Sequence, residues 1–298
     1  MKKLQKVASH SEIYGISLGI IGYICYAFSA VFAKLAVNVN TSMLYFLRNI
    51  MLFAFILPFL GIKKLPLKTQ KFHFYLIRGL SAFIAVYLFY YIVKKLSLVD
   101  STLLINTYPL FIPLIALIWF RKKIPLRRIL LLLVGFVGVI FILKPKWDFF
   151  NTSGFLGVLA GLFLALAVAS IRKLARTEHA GTMMFYQSLI LLLASIFPAL
   201  VFWQTVSDPL MWLYIFLVGI FAFAFQYLII KAYTYAPVSK VSATGYFMVI
   251  MGGVFDYFIW NTILDIWDLI GVLLVIISGL FIVLDKKQST PIRKKIKD

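Results

Sequence analysis

The chain has 298 residues, of which 63% are apolar and only 13% are Asp, Glu, Lys or Arg. Soluble domains are roughly 45–50% apolar and about 25% charged, so a water-soluble fold of this size could not bury so much apolar surface. The composition excludes a cytosolic enzyme, a secreted module and a disordered chain, and makes the lipid bilayer the solvent. The single cysteine, Cys25, excludes an intrachain disulfide framework and a cysteine-based metal cluster.

Ten segments are each apolar over about 20 residues, the length that an α-helix needs to cross a bilayer. In chain order they cover residues 13–36, 42–60, 73–94, 98–120, 126–144, 154–175, 181–203, 209–231, 237–260 and 265–284. They lack the alternation of barrel strands, so the sequence predicts an all-α membrane protein. The first segment is longer than the apolar region of a signal peptide, and we interpret it as span 1 and not as a cleaved leader.

The lysines and arginines between the segments predict the orientation. With the N-terminus inside, 23 of them fall on the cytoplasmic side and only Lys94, Lys95, Lys144 and Lys146 fall outside. This bias predicts a multi-pass protein of the inner (plasma) membrane, with both termini in the cytoplasm and a basic tail over residues 285–298. Topology therefore explains the excess of 30 Lys and Arg over 10 Asp and Glu, and no nucleic-acid partner is expected.

The two halves of the chain resemble each other at an offset of about 140 residues. The matching pairs are Gly15 and Gly154, Gly22 and Gly161, Lys34 and Lys173, Pro58 and Pro198, and Tyr87 and Tyr227. Each half has five spans, an odd number, so the second half must enter the membrane inverted. The sequence thus predicts ten transmembrane helices as two inverted five-helix repeats, residues 1–144 and 145–298. Inverted repeats are typical of secondary transporters, whose substrate site lies near the midplane.

The sequence offers little for catalysis. It has no phosphate-binding glycine-rich loop, and its three histidines, His10, His73 and His179, have no metal-ligand spacing. No paired carboxylates lie inside a span. We therefore expect no catalytic residue, no metal site and no cofactor, and the protein is not expected to be an enzyme.

Charged residues inside spans are costly and suggest function. Arg48 lies in span 2 and Arg78 in span 3. Either could anchor a carboxylate or phosphate of the substrate, or could be structural, bonded to backbone carbonyls or extended to the interface. Lys34 and Lys173 lie at segment ends, where extension to the interface is expected.

Other polar groups point to the middle of spans 4 and 9. Asn106 and Thr107 precede Pro109 in span 4, which predicts a kinked helix that either lines a cavity or only packs. Thr244 lies at the matching level of span 9. Asp256 is the one acid well inside a segment and is a candidate for coupling transport to protons, although it lies near the outer end, where water could reach it.

Two tyrosines complete the predicted site. Tyr87 in span 3 and Tyr227 in span 8 are repeat mates and lie deeper than interfacial aromatic residues usually do. We expect a binding cavity between spans 3, 4, 8 and 9, touching Tyr87, Asn106, Tyr227 and Thr244.

Several stretches resemble the EamA-like branch of the drug/metabolite transporter superfamily. They are Leu76 to Leu80, Lys95 to Thr102, Pro109 to Phe111, Tyr235 to Val241 and Gly271 to Gly279, together with Arg48 near the start of span 2. The resemblance covers nearly the whole chain. It implies ten spans in two inverted halves, a central cavity lined mainly by spans 1, 3, 4, 6, 8 and 9, and gradient-driven or facilitated movement of small metabolites.

These features predict a secondary transporter of small organic metabolites, with amino acids or amino-acid-like compounds as substrate. The two arginines favour a ligand with a carboxylate or phosphate, because only Asp256 opposes their charge. An alternative is uptake of a nucleoside-bearing metabolite such as S-adenosylmethionine, whose adenine could stack on tyrosines. Another alternative is a lipid-carrier flippase subunit or scaffold that moves no metabolite. The expected partners are a small-molecule substrate, the bilayer and a coupling proton.

Reporter fusions test the inversion of the second half. A fusion after residue 125 should report the cytoplasm, because loop 4–5 carries five cations, and a fusion after residue 205 should report the outside, because loop 7–8 carries none. Fluorescent-protein and alkaline-phosphatase fusions at both sites give the measurement. The same location at both sites would contradict an inverted repeat.

Overall fold

The structure is a computed structural model that describes residues 2–63, 69–120, 126–143, 152–174, 178–236, 238–262 and 265–284. Within those residues the chain is helical and has no strand. The helices are α1 (Lys2–Leu35), α2 (Thr41–Lys63), α3 (Phe72–Val93), α4 (Leu98–Ile105), α5 (Tyr108–Phe120), α6 (Leu126–Leu143), α7 (Thr152–Leu174), α8 (Ala180–Val201), α9 (Pro209–Tyr235), α10 (Val238–Ala243), α11 (Tyr246–Trp260) and α12 (Ile266–Leu284). The loop cations at 121–123, 144 and 146, the side chain of Lys173 and the basic tail lie outside the described residues.

The helices confirm an all-helical membrane protein. Seven described segments are long and apolar enough to cross a membrane: 12–35, 41–58, 72–93, 152–171, 181–201, 209–235 and 240–260. Three shorter apolar segments, Leu98–Ile112, Ile129–Gly138 and Leu269–Phe281, fall within predicted spans 4, 5 and 10. The full count of ten spans stays a prediction.

Spans 4 and 9 are each divided into two helices, whereas the sequence predicted continuous segments. In span 4, α4 ends at Ile105 and α5 begins at Tyr108. Pro109 explains this break, because it lies in the first turn of α5, where its missing N–H needs no partner. The expected kink is therefore a full interruption that precedes the proline. In span 9 the break at Thr244 and Gly245 has no proline beside it.

Threonines satisfy part of the backbone freed at both breaks. Thr107 Oγ1 donates to the carbonyl of Leu104 at 2.7 Å, and Thr244 Oγ1 donates to the carbonyl of Val241 at 2.6 Å. Both bonds reach three residues back along the chain. Because an unsatisfied carbonyl in a membrane costs several kcal/mol, such local partners make the interruptions tolerable.

Glycines on two other helices cover the breaks. A Cβ atom on Gly161 of α7 would lie 2.3 Å from Thr107 Oγ1 and 3.0 Å from the Leu104 carbonyl oxygen. A Cβ atom on Gly19 of α1 would lie 2.6 Å from Thr244 Oγ1. Only glycine leaves room for such an approach, so α7 and α1 shield the two breaks from lipid at close range.

The two halves of the chain are interleaved. The helix α1 packs most extensively on α9, and α3 packs on α7, α6 on α12 and α2 on α8. Each of these contacts joins one half of the chain to the other. The core therefore lies between the halves and not within each of them.

The bundle has two ends, which we name by charged residues of α1. At the Lys34 end, Gln204 accepts a hydrogen bond from Asn40 N at 2.9 Å and donates to the Asn38 carbonyl at 2.7 Å. At the Glu12 end, Glu12 pairs with Lys240 of α10 at 2.6 Å. Both ends thus connect the first half of the chain to the second.

Replacing Gly161 tests the close approach of α7 to the first break. Gly161→Ala should destabilise the protein by about 1–3 kcal/mol, because Thr107 and the Leu104 carbonyl must move to admit the methyl group. The matched control is Gly22→Ala on α1, where the added Cβ atom would have its nearest neighbour at an ordinary 3.4 Å. Thermal unfolding of the purified variants gives the measurement. Equal Tm values for the two variants would contradict the packing described above.

Candidate functional site

Arg48 is buried in the interior, on α2, with 3% of its surface exposed. Its guanidinium carbon lies 5.3 Å from the ring centroid of Tyr45 and 5.6 Å from that of Tyr90. Its Nη1 donates to Asn49 Oδ1 at 2.9 Å, and Asn49 Nδ2 donates to the Leu191 carbonyl of α8 at 3.2 Å. The arginine is thus oriented by an amide and two aromatic rings, and no carboxylate of a described residue pairs with it.

Two buried polar groups around Arg48 make no hydrogen bond with any described residue: Arg48 Nε and the hydroxyl of Tyr26. The hydroxyl of Tyr45 makes no hydrogen bond of good geometry, but it lies close to the side chains of Arg48 and Asn49. Both tyrosines lie within electrostatic range of the guanidinium. An unmet buried polar group costs about 1–3 kcal/mol, so two at one place suggest that a ligand supplies the acceptors. We call Tyr26, Tyr45, Arg48, Asn49 and Tyr90 the Arg48 cluster.

Tyr90 differs from the other two tyrosines of the cluster because its hydroxyl has a protein partner. Tyr90 Oη and Ser29 Oγ share a hydrogen bond of 2.8 Å, and Ser29 Oγ donates to the Val218 carbonyl of α9 at 3.1 Å. This chain of bonds connects α3, α1 and α9. It holds one wall of the Arg48 cluster in place.

The two helix breaks meet beside Tyr23 of α1. A Cβ atom on Gly245 would lie 2.5 Å from Asn106 Oδ1 and 3.3 Å from Tyr23 Cζ. Tyr108 at the start of α5 donates its hydroxyl to the Ser242 carbonyl of α10 at 2.9 Å. The interrupted backbone of one half of the chain therefore faces that of the other across a few ångströms.

An aromatic surface lies next to the breaks. The ring of Phe225 on α9 stacks on Tyr26 with centroids 4.5 Å apart and an interplanar angle of 16°, and it contacts Tyr23 at 5.2 Å. Phe89 of α3 lies 5.5 Å from Tyr26 on centroids. The middle of α1 thus presents hydroxyls beside flat apolar rings, a combination that suits a ligand with both polar and planar parts.

Arg78 is a second buried arginine, on α3, with 4% of its surface exposed. Its Nη1 has no hydrogen-bond partner among the described residues. Tyr75 and Tyr233 lie within electrostatic range of it. Neither Arg78 nor Arg48 forms an ion pair with any acid that the structure describes.

Asp256 is fully paired, in contrast to the two arginines. Its Oδ1 lies 3.2 Å from Lys34 Nζ, and its Oδ2 accepts a hydrogen bond from Val99 N, in the first turn of α4, at 2.8 Å. Lys34 Nζ also lies 4.4 Å from the ring centroid of Trp260. We call Lys34, Asp256 and the amide of Val99 the Lys34 bridge. It joins α1, α4 and α11 at the Lys34 end.

The Lys34 bridge corrects one prediction from the sequence. Lys34 was expected to extend to the membrane interface, but only 15% of its side chain is exposed. The reason is that Asp256, which is 1% exposed, would otherwise be a buried carboxylate without a counterion. In this conformation Asp256 is not open to water, and its role in proton coupling stays a prediction.

Lys94 closes the same end from the loop after α3. Its ammonium donates to the carbonyls of Ala36, at 2.8 Å, and of Val39. Burial lowers the pKa of Lys94 to about 8, so most of it is still charged at neutral pH. Together with the Lys34 bridge, these bonds hold the Lys34 end shut.

The structure brings together only part of the predicted site. Asn106 and Thr107 lie at one break and Thr244 at the other, and all three are buried. Tyr87 is half-buried, bonds to Ser42 Oγ at 2.8 Å and borders the Arg48 cluster through the ring of Tyr45.

Tyr227 lies elsewhere, stacked on Phe223 with Lys231 Nζ 5.6 Å from its ring centroid. No described contact links Tyr227 or Tyr87 to Asn106. The cavity predicted from Tyr87, Asn106, Tyr227 and Thr244 stays a prediction.

Sequence reasoning missed Tyr23, Tyr26 and Tyr45. A usable signal was present, since Tyr23, Tyr26 and Ser29 recur every three residues along one face of an apolar helix. Tyr45 likewise precedes Arg48 by three residues. In this protein, polar residues repeated along one face of a helix mark the side that faces the interior, whereas the position of a single tyrosine along its helix does not.

Comparisons with known proteins decide the family. The profile of the EamA-like transporter family matches the chain twice, over residues 13–144 and 152–284. The chain belongs to the EamA-like transporter family. This confirms the resemblance, and it makes the protein a multi-pass membrane transporter of small molecules and not an enzyme.

This EamA-like transporter is similar to two curated proteins and to one solved structure. It is 32% identical to a riboflavin transporter of Vibrio cholerae over 190 residues, which are 62% of this chain and 63% of that protein. It is 26% identical to an S-adenosylmethionine uptake transporter of Rickettsia bellii over 82% of this chain and 83% of that protein. A crystal structure with 16% identity has the same fold, with a TM-score of 0.62 over 91% of this chain and 96% of the other.

Removing Lys34 tests the Lys34 bridge. Lys34→Met should destabilise the protein by about 2 kcal/mol or more, because it leaves Asp256 buried without its counterion. Replacing both partners by methionine should recover part of that loss, since no unpaired charge then remains.

The control for that prediction is Lys240→Met, which breaks the Glu12 pair. There the two side chains are 42% and 30% exposed, and the cost should stay below about 1 kcal/mol. Thermal unfolding of all four proteins gives the comparison. A Lys34→Met variant that is no less stable than Lys240→Met would show that the bridge contributes nothing.

Proposed function

We propose that this EamA-like transporter moves a small metabolite with a carboxylate or phosphate group, of the amino-acid-like class, across the inner membrane by alternating access. The observation that carries the proposal is the Arg48 cluster, a buried cation with unmet donors and no described acid partner. Burial of an unpaired cation is costly, and an anionic ligand would offset that cost. A structural arginine would be expected to have its N–H groups satisfied by the protein.

The chemistry of the cluster suits a zwitterion. The planar guanidinium can hold a carboxylate through two parallel hydrogen bonds, and the hydroxyls of Tyr26 and Tyr45 can donate to the same group. An ammonium group of the ligand would find acceptors at the helix breaks, where Asn106 Oδ1 lies. Tyr87, Thr107, Tyr227, Thr244 and Arg78 remain proposed contacts of the ligand in this or another conformation.

Several features support two inverted five-helix repeats, residues 1–144 and 145–298, with ten spans. The helix contacts are symmetric between the two halves of the chain. The packing of α1 on α9 corresponds to the packing of α7 on α3, and the packing of α2 on α9 corresponds to that of α8 on α3. The helix breaks fall at corresponding places, and the family profile matches each half once. The loop charges favour cytoplasmic termini, which would place the Lys34 end outside.

Alternating access gives the Lys34 bridge a role as the outer closure. It joins α1 and α4 of the first half to α11 of the second, so the halves cannot separate at this end while it holds. Opening would release the carboxylate of Asp256 into water, where it could take up a proton. Coupling of transport to a proton gradient at Asp256 is part of the proposal.

A nucleoside-bearing metabolite is the second candidate substrate. The stacked rings of Tyr26 and Phe225 lie beside the unmet donors of the Arg48 cluster. S-adenosylmethionine carries both an adenine and an amino-acid carboxylate, so it could use the rings and the arginine together. A relative with 26% identity is an S-adenosylmethionine uptake transporter, which supports S-adenosylmethionine as a candidate substrate here. A flippase subunit or scaffold, in contrast, would bind none of these metabolites.

Arg48→Gln tests the proposed anchor. Thermal-shift screening of purified protein against amino acids, S-adenosylmethionine, riboflavin and quaternary ammonium compounds first identifies a ligand. Arg48→Gln should then weaken its binding by about 1.5–3 kcal/mol, roughly 10- to 150-fold, through loss of a charged hydrogen bond. Arg48→Lys should restore only part of the affinity, because the planar fork is lost.

The control is Arg127→Gln, which removes an exposed arginine of α6 and should leave binding unchanged. Affinities are compared on monodisperse protein only. If folded Arg48→Gln binds the ligand as the parent protein does, Arg48 is structural and the proposed anchor is wrong. Strong binding of a purely cationic compound would argue against the anionic substrate class.

A further inference from the structure

The two buried arginines lie at different levels of the bundle. Tyr90, whose ring is 5.6 Å from the Arg48 guanidinium, and Arg78 both belong to α3. They are 12 residues apart, which corresponds to about 18 Å along the helix axis. Side chains on a helix lean towards its N-terminus, so both lean the same way and the separation persists at their tips.

The surroundings of the two arginines do not overlap. Tyr26, Tyr45 and Tyr90 lie within electrostatic range of Arg48, whereas Tyr75 and Tyr233 lie within range of Arg78. A carboxylate or phosphate must come within about 2.7–2.9 Å of a guanidinium nitrogen to form a charged hydrogen bond. A compact anion therefore cannot bind both arginines at once.

Tyr23 connects the two surroundings. It lies within electrostatic range of Tyr26 on one side and of Tyr233 on the other. It also lies next to Gly245, where the two helix breaks meet. Tyr23 and Tyr26 both contact the ring of Phe225, so α1 presents tyrosines from the Arg48 cluster to the middle of the bundle.

We propose that Arg48 and Arg78 are two separate anion-binding stations on one path, and that the single anionic group of the substrate occupies them in turn. Each station has an unpartnered N–H group on a side chain more than nine-tenths buried: Nε of Arg48 and Nη1 of Arg78. Arg48 binds the anion when the path is open at the Lys34 end, and Arg78 binds it when the path is open at the Glu12 end. The inference rests on the proposed function, because both stations handle the same transported anion.

Two stations answer a physical need of transport. A group held by one deep cation in a low-dielectric interior would be bound too tightly to leave quickly. Binding at successive sites allows entry and release, as in other membrane pathways.

The surroundings of the Arg78 station include an acid. Glu178 accepts a hydrogen bond from Tyr75 Oη at 3.1 Å and another from Thr69 Oγ1 at 3.3 Å. Tyr75 interacts with both Glu178 and Arg78, so the two charged groups share one neighbour. The structure places no comparable described acid beside the Arg48 cluster.

Arginine-directed labelling tests the two stations without a known substrate. The probe is 4-hydroxy-3-nitrophenylglyoxal, a planar reagent that is anionic at mildly alkaline pH and modifies arginine. It is applied to spheroplasts, which expose the outer face, and to inverted vesicles, which expose the inner face. Peptide mass spectrometry measures the modification of Arg48, Arg78 and the exposed control Arg127.

Both buried arginines should be modified, each at least about fivefold faster from its own side, because alternating access opens one end at a time. Arg48 should react from the side of the Lys34 end and Arg78 from the opposite side. In detergent-solubilised protein, where the reagent reaches both faces, intact-protein mass spectrometry should find molecules that carry both modifications, since the stations are separate. Arg48→Gln should change the labelling of Arg78 less than about twofold, because distant sites behave independently.

Three results would overturn the proposal: no reaction at either arginine while Arg127 reacts, modifications that exclude each other on one molecule, or equal reaction of both from the same side. The first means that the arginines are scaffold, and the other two mean one shared site. Failure of the proposed function is a different result, in which both arginines react from opposite sides but no metabolite binds or is transported.

Discussion

A helix interrupted inside a membrane must find partners for the backbone groups that it frees, and this constraint organises the whole bundle. In the part of the chain that the structure describes, two spans are interrupted, one at Asn106 and Thr107 and one at Thr244 and Gly245. Local threonine bonds satisfy part of the freed backbone, and glycines of α7 and α1 seal it by close approach. The breaks can exist only where those two helices cover them.

The position of α1 then determines what faces the middle of the bundle. The face that presents Gly19 to the second break also carries Tyr23 and Tyr26 towards α9 and α3. Tyr26 brings its hydroxyl group to the buried Arg48, and Tyr23 lies beside the helix breaks. The polar interior of the transporter is thus a consequence of how the broken helices are shielded.

The buried charges divide into two kinds. Lys34 and Asp256 form an ion pair, and Asp256 also accepts a hydrogen bond from the backbone N–H of Val99 in the first turn of α4. These two buried charges therefore need no ligand. Arg48 and Arg78 are also buried, yet each has an N–H group without a hydrogen-bond partner, and neither pairs with an acid that the structure describes. The first kind closes one end of the bundle, and the second kind is where an anionic metabolite would bind under the proposed function.

The sequence predicted the long helices well, because an apolar run of about 20 residues has few other interpretations. For example, the segment predicted over 73–94 is α3, Phe72–Val93. The break in span 9 could not be predicted in this way, since Thr244 and Gly245 interrupt the helix without a proline. The partner of Lys34 was missed because an ion pair 222 residues apart depends on how the halves interleave.

The dependence on contacts between the two halves also explains why the sequence predicted only part of the candidate site. Depth along a helix, which singled out Tyr87 and Tyr227, does not say which face turns inward. That face is set by the packing of α1 on α9 and of α3 on α7, contacts between the two halves of the chain that depth along a helix does not encode. Arg48 and Asn106 could be predicted because buried charge and polar groups at midspan need partners wherever the helix turns.

Under the proposed function, the interior is a transport site whose Lys34 end must open in each cycle. Cysteines at positions 38 and 204, where Gln204 bonds to Asn38 across the halves at the Lys34 end, can be joined in a Cys25→Ala background by a short reversible bis-methanethiosulfonate reagent. Uptake of an identified ligand into proteoliposomes should fall to background after cross-linking and return on reduction, whereas the uncross-linked double variant should transport. Undiminished uptake by the fully cross-linked protein would contradict the account.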